Sequence, residues 1–277
     1  MKLHFQRNSL LLLTILFVFY SCAKQDNFSE KIHPAFDIDQ QELEQLISTL
    51  PRYQQYTILQ RPQVFLELVK QVLELPASYT ILVDKNHGLD MNYVPSRLVS
   101  LDNYPEILTF KPNMQLSADV IPALLALIEA AKQDGIELLV SSAYRSFSYQ
   151  EDLFNYWSAQ ANASEVEHES AIPGHSQHQL GTTIDFAPVD PVFAETKAYA
   201  WLQQHAADFG FSLSYPEHSK DFTGYTFESW HWRFIHPSTT AIQKNFFDNS
   251  QQCCLAFFHI YADYLRELML QNTQRYE

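Results

Sequence analysis

Asp185 stands inside the apolar run Ile184-Asp185-Phe186, and His231 stands between Trp230 and Trp232. A carboxylate buried without a partner is among the most unfavourable groups a core can hold. Any fold of this chain must therefore bring a counter-charge to Asp185, and a metal ion would serve. Two polar clusters surround these residues: Pro173-Gly174-His175-Ser176-Gln177-His178-Gln179-Leu180-Gly181-Thr182-Thr183-Ile184-Asp185, and Phe227-Glu228-Ser229-Trp230-His231-Trp232-Arg233-Phe234. A hydrolytic zinc site takes three protein ligands and leaves a position open for water. Neutral imidazole and carboxylate suit that ion, and a carboxylate that is not a ligand must stand by to carry a proton. The two clusters contain that set. Taken singly, the same residues have plainer readings. An aspartate near a strand end commonly caps a turn, and a histidine between aromatics is more often a core residue than a ligand. His175 and His178 fit a two-ligand helical spacing, but Pro173, Gly174 and Gly181 around them favour a loop. Glu228 lies three residues before His231, so strand alternation puts the two on opposite faces. A shared cleft needs a bulge or turn at Ser229.

With 46% apolar and 18% charged residues, the 277-residue chain can bury one large domain, with or without an added helical subdomain. Its net charge of -14 sets it against nucleic-acid phosphates. Residues 1–21 read as an export signal: Lys2 and Arg7 precede a short apolar run over 10–19. Ser21-Cys22 resembles a lipoprotein signal, with Cys22 lipidated and the protein held at the cell envelope, periplasmic or on the surface. Cleavage without lipidation and an uncleaved anchor are the alternatives. Residues 22–34 read as a tether. Three cysteines make no disulfide framework, since Cys253 and Cys254 are neighbours.

Helical periodicity is present at Leu43, Leu46, Ile47 and Leu50 before Pro51. It recurs at Val64, Phe65, Leu68, Val69, Val72 and Leu73 before Pro76. These define an N-terminal helical segment, 35–78. Strands are expected at 79–83, 136–140, 182–186, 211–215 and 227–235. Helices are expected at 117–131, 148–161 and 192–209, with a polar loop at 165–173. A C-terminal helix in 241–277 carries Leu255, Phe258, Tyr261, Ala262 and Leu265. Helices mixed with short, locally connected strands make an α+β class over the body of the chain, 79–240.

Taken in order, four segments resemble the VanY-like D-Ala-D-Ala carboxypeptidases, zinc peptidases of the hedgehog-type fold. The family pattern Ser-x-His-x-x-Gly-x-Ala-x-Asp matches Ser176 to Asp185, with Thr183 in place of Ala, and Glu-x-x-His matches Glu228 to His231. Ser142, Tyr144, Arg145, Ser146 and Gln150 match a third element, and Leu82 to Leu89 with Tyr93-Val94-Pro95 a fourth. The resemblance implies a small antiparallel sheet with flanking helices. It implies His178, Asp185 and His231 as Zn2+ ligands, with His175 a neighbour only, and Glu228 as the base. Arg145 would stabilise an oxyanion or grip a carboxylate. Tyr144, Gln150 and Ser176 would contact the peptide's end, and Trp230 would wall the pocket. The Thr183 hydroxyl would either donate to Asp185 or be merely tolerated. The implied activity removes the C-terminal D-amino acid of peptidoglycan stem peptides, by D,D or L,D cleavage. An L-Ala-D-Glu endopeptidase is one alternative. A non-catalytic zinc-containing lipoprotein that binds wall peptides is another, which has no need of Glu228 or Arg145.

Overall fold

A computed structural model describes residues 31–160 and 170–274. The export signal, Cys22, the tether as far as residue 30 and loop residues 161–169 lie outside the described residues. The described residues open with three helices, α1 (Gln40–Leu46), α2 (Arg52–Gln60) and α3 (Pro62–Leu73). Asp39 caps α1 reciprocally with Glu42, each side chain accepting the other's backbone N–H at 2.9 Å. Pro62 starts α3, where its missing N–H leaves no bond unmade.

Seven short strands follow: β1 (Leu98–Ser100), β2 (Leu108–Thr109), β3 (Gln115–Ser117), β4 (Leu139–Ser142), β5 (Thr183–Phe186), β6 (Phe211–Leu213) and β7 (His231–Phe234). The pair β1-β3 stands apart, and the other five form one sheet in the order β2-β4-β5-β7-β6. That sheet is antiparallel except at its edge, where β2 runs parallel to β4. The expected small antiparallel sheet is thus present with one parallel neighbour. Between and after the strands run α4 (Ile121–Gln133), α5 (Phe147–Ser158), α6 (Lys197–His205), α7 (Lys220–Thr223), α8 (Pro237–Phe246) and α9 (Gln251–Gln274).

Among the described residues a small cluster, Leu82, Ile235 and Leu255, and two large apolar cores hold these elements. In one, α4 and α6 cover one face of the sheet, packing Leu124, Leu127 and Leu202 with Val140, Ile184, Phe186, Trp232 and Phe234. In the other, Phe36, Leu43, Phe65 and Val69 pack with Ile242, Phe246, Phe257 and Phe258. The N-terminal helices therefore share a core with α8 and α9. Phe65 meets the ring edges of Phe246 and Phe257 at centroid distances of 5.2 and 5.7 Å. Strand alternation then decides the site. Because Ile184, Phe186, Trp232 and Phe234 face the first core, Asp185, His231 and Arg233 must face the other way. That face is buried too.

Several expected elements come out differently. Residues 80–83 form no strand. One of their carbonyls is taken by a side chain instead of a neighbouring strand: Arg233 Nη2 donates to Ile81 O at 2.8 Å. The expected helix 192–209 is three pieces, a 3-10 turn (Pro191–Glu195), α6 and a second 3-10 turn (Ala206–Phe209). The Thr196 hydroxyl caps α6 by accepting from Tyr199 N at 3.1 Å. Ser117 ends β3 rather than starting a helix, and α4 begins only at Ile121. The expected strand 227–235 is extended only from His231, because Ser229 and Trp230 form a turn.

Candidate active site

Asp185 on β5 and His231 on β7 are direct partners in the antiparallel register. His178 reaches them from a 3-10 turn (Gln177–Leu180) between the loop at 173–176 and β5. The Ser176 hydroxyl caps that turn by accepting from His178 N. Gly181 closes it at φ 68, a left-handed conformation that suits glycine. Its α-carbon lies so near Pro95 that a Cβ there would come within 2.8 Å of the ring. One ligand atom from each of His178, Asp185 and His231 can be chosen so that all lie within 4.8 Å of one another. All three side chains are buried, Asp185 at 2% exposure.

The turn at Ser229 supplies what alternation could not. His231 N donates to Glu228 O at 3.3 Å across it, and Glu228 Oε2 arrives 3.3 Å from His231 Nδ1. Glu228 stays outside the three-residue cluster and lines the adjoining cleft.

The hydrogen bonds around the histidines prepare both as ligands. His178 Nδ1 donates to Ala143 O at 2.6 Å, which leaves its Nε2 lone pair facing Asp185 Oδ2 at 3.1 Å. His231 mirrors this: Nε2 donates to Gln177 Oε1 at 3.3 Å, leaving Nδ1 facing Asp185 Oδ1 at 3.1 Å. Burial, with Arg145 nearby, pushes the His178 pKa down to about 4, so its ring is neutral near pH 7. Burial alone would raise the Asp185 carboxyl, yet it lies well below the usual carboxylate range. With both imidazole lone pairs turned toward it, the donor that holds it there is the Arg145 guanidinium, 2.7 Å from Oδ2.

These groups fit a divalent cation. Two imidazole lone pairs and an ionised carboxylate converge, and Asp185 Oδ1 makes no hydrogen bond. Backbone and side-chain carbonyls orient both rings from behind, as metal-bound histidines require. Arg145 partly fills the cation's electrostatic role: its Nη2 donates to Asp185 Oδ2 at 2.7 Å and to His178 Nε2 at 2.9 Å. Ser142 Oγ at 3.0 Å and Gln150 Oε1 at 3.3 Å accept its other N–H groups.

The site opens on a cleft of about 740 Å³ lined by Ser176, Glu228, Trp230, Tyr215, Tyr225 and Trp157, among others. Ser176 and Trp230, expected at the substrate, are on this wall. Tyr144 and Gln150, also expected there, are not. The Gln150 side chain is used within the protein, accepting from Arg145 and donating to Ala171 O at 2.8 Å. It braces Arg145 from behind. His175 is a neighbour, its Nδ1 bonded to Asp84 O at 2.7 Å. Thr183 Oγ1 donates to Gln177 O at 3.1 Å rather than to Asp185. Two residues given no role by the sequence belong to the site: Gln177, behind His231, and Tyr215, whose ring lies 4.8 Å from His231 between centroids. Gln177 had one signal, its place between Ser176 and His178.

Two histidines, an aspartate and an unligated glutamate beside an open cleft are the apparatus of a metal-dependent hydrolase. The comparisons narrow the class. The sequence profile of VanY, D-alanyl-D-alanine carboxypeptidase, matches residues 113–237. YodJ of Bacillus subtilis (strain 168) is 30% identical over 186 residues, which span 63% of this chain and 67% of that relative. The LdcB LD-carboxypeptidase, whose structure concerns peptidoglycan recognition, superposes with a TM-score of 0.56 at 28% identity, covering 64% of this chain and 84% of the other. A mutant of the vancomycin-resistance D,D-pentapeptidase VanY, solved with Zn(II), gives a TM-score of 0.52 at 25% identity, covering 65% and 99%. The chain belongs to the VanY family of carboxypeptidases.

Proposed function

We propose that the chain is a zinc-dependent carboxypeptidase that removes the C-terminal D-amino acid from peptidoglycan stem peptides. The observation that carries this is the convergence of His178, Asp185 and His231, with Glu228 3.3 Å from His231 at the cleft wall. Bound zinc would acidify a water and polarise the scissile carbonyl. Glu228 is placed to take the water's proton and return it to the leaving amine. Arg145 is the one Lys or Arg among the described residues lining the cleft. Its forked donors suit either the oxyanion or the substrate's terminal carboxylate. Ser176 and Trp230 contribute to the wall that receives the peptide's end.

Incubating the purified protein with a muramyl pentapeptide and with the corresponding tetrapeptide, with mass analysis of the products, tests this. Release of D-alanine from the pentapeptide identifies D,D cleavage, and release from the tetrapeptide identifies L,D cleavage. Scission between L-Ala and D-Glu would replace the reading with an endopeptidase, and no scission at all would end it.

Cys22 as a lipidated anchor follows from the signal-like residues before it, and would hold the enzyme at the cell envelope beside its substrate. Expressed in a bacterial host, the full chain is expected to take up labelled palmitate and Cys22→Ser to take up none. Equal labelling of both would remove the anchor.

A further inference from the structure

A row of buried amides runs from the first turn of α9 to the site. Gln251 Nε2 donates to Ser212 O at 3.3 Å. Gln251 Oε1 accepts from Gln177 Nε2 at 3.2 Å. Gln177 Oε1 accepts from Ser214 Oγ at 2.7 Å and from His231 Nε2 at 3.3 Å. Gln177, Gln251 and His231 are all at 5% exposure or less.

An amide can be turned over, exchanging donor and acceptor, so its sense is set by partners that cannot exchange theirs. Ser212 O is a backbone carbonyl and can only accept. It therefore draws the Gln251 NH2, which aims Gln251 Oε1 at Gln177. Gln177 must then present its NH2 to Gln251, with Val83 O as a second acceptor at 3.5 Å. Its own oxygen is left facing His231. Against that oxygen His231 must carry a proton on Nε2, which leaves Nδ1, 3.1 Å from Asp185 Oδ1 and 3.3 Å from Glu228 Oε2, as the atom offered to a cation. Ser214 does not decide the matter, because a hydroxyl both donates and accepts. Turning Gln177 over would put its oxygen against two acceptors, Gln251 Oε1 and Val83 O. It would also put an N–H against His231 Nε2, driving the ring proton onto Nδ1 and blocking the ligand atom.

We infer that Gln251 is a positioning residue which, through Gln177, holds a proton on His231 Nε2 and so assigns Nδ1 to the metal. This rests on the zinc reading of the site. Gln251 lies beyond the family-matched residues 113–237, so the control comes from the appended C-terminal helix. The neighbouring Gln252 fastens the same turn by donating to Asp84 Oδ2.

Long-range proton–nitrogen spectra of zinc-free, 15N-histidine-labelled protein report the tautomer directly. Zinc affinity is measured alongside by competition with a chelator. Wild type is expected to show a proton on His231 Nε2. Gln251→Met keeps the length and removes the acceptor, so a second population with Nε2 unprotonated is expected, with zinc affinity lower by about tenfold. Gln251→Glu keeps an acceptor for Gln177 and is expected to retain the wild-type tautomer. A folded Gln251→Met protein with Nε2 still fully protonated or with unchanged zinc affinity would overturn the inference, as would loss of the His231 Nε2 proton in Gln251→Glu. Failure of the wild type to bind zinc would instead overturn the reading of the site, while the zinc-free spectra would still decide the role of Gln251.

Discussion

Glu228→Gln is expected to lower kcat on a stem peptide about a thousandfold, with KM little changed and one zinc retained per chain. General acid–base groups of this kind contribute roughly 10²- to 10⁴-fold. The substitution keeps the side chain's shape and removes the carboxylate charge and with it the capacity to take a proton. Zinc should stay because His178, Asp185 and His231 form the cluster without Glu228. A fall in kcat with KM steady is the mark of an interaction made in the transition state rather than in substrate binding. Glu228 is placed for this. It is 9% exposed, at the cleft wall, and its Oε2 approaches the site-facing nitrogen of His231. Steady-state rates and metal analysis on one preparation check both halves. Wild-type turnover would remove Glu228 from the chemistry, and loss of zinc along with turnover would make it a ligand instead.

What could be read in the sequence followed from chemistry that is local and expensive to misplace. Asp185 in an apolar strand required a counter-charge, and the elements bearing His178 and His231 did fold around it. The turn at Ser229 was needed by the argument yet carried no glycine or proline to announce it. Residues 79–83 looked like a strand because their side chains are apolar, and Leu82 and Val83 are indeed buried. What distinguishes that segment is Arg233, 152 residues away from Ile81, whose guanidinium takes its carbonyl. No local pattern contains such a partner. Helix α8 was missed for a related reason. Thr239, Thr240 and Gln243 are buried on it beside Ile242 and Phe246, so only two apolar residues mark its inward face. On α2 only Gln54 and Ile58 are buried, which leaves too little periodicity to see. Gln177 and Gln251 are 74 positions apart, and a single sequence offers no reason to pair two amides at that separation.

Stripping the metal is expected to abolish turnover and to lower Tm by roughly 8–16 °C relative to the zinc-loaded protein. Zinc at a thousand times its Kd would stabilise the native state by about 4 kcal/mol. In domains of this general size each kcal/mol moves Tm by about 2–4 °C. The geometry says why the apo state is the weaker one. Asp185 Oδ1 is buried without a hydrogen bond, and the Nδ1 lone pair of His231 faces oxygens of both Asp185 and Glu228. Arg145 relieves one side of this, through Asp185 Oδ2 and His178 Nε2, but leaves the His231 side bare. Thermal melts over a zinc titration, repeated with His178→Ala, separate this effect from general ion binding. The variant should melt at one temperature at every zinc concentration, because two of three ligands hold the ion far more weakly. A wild-type Tm that ignores zinc would mean the three side chains hold no metal. Asp185 would then have to be sustained in the core by Arg145 alone.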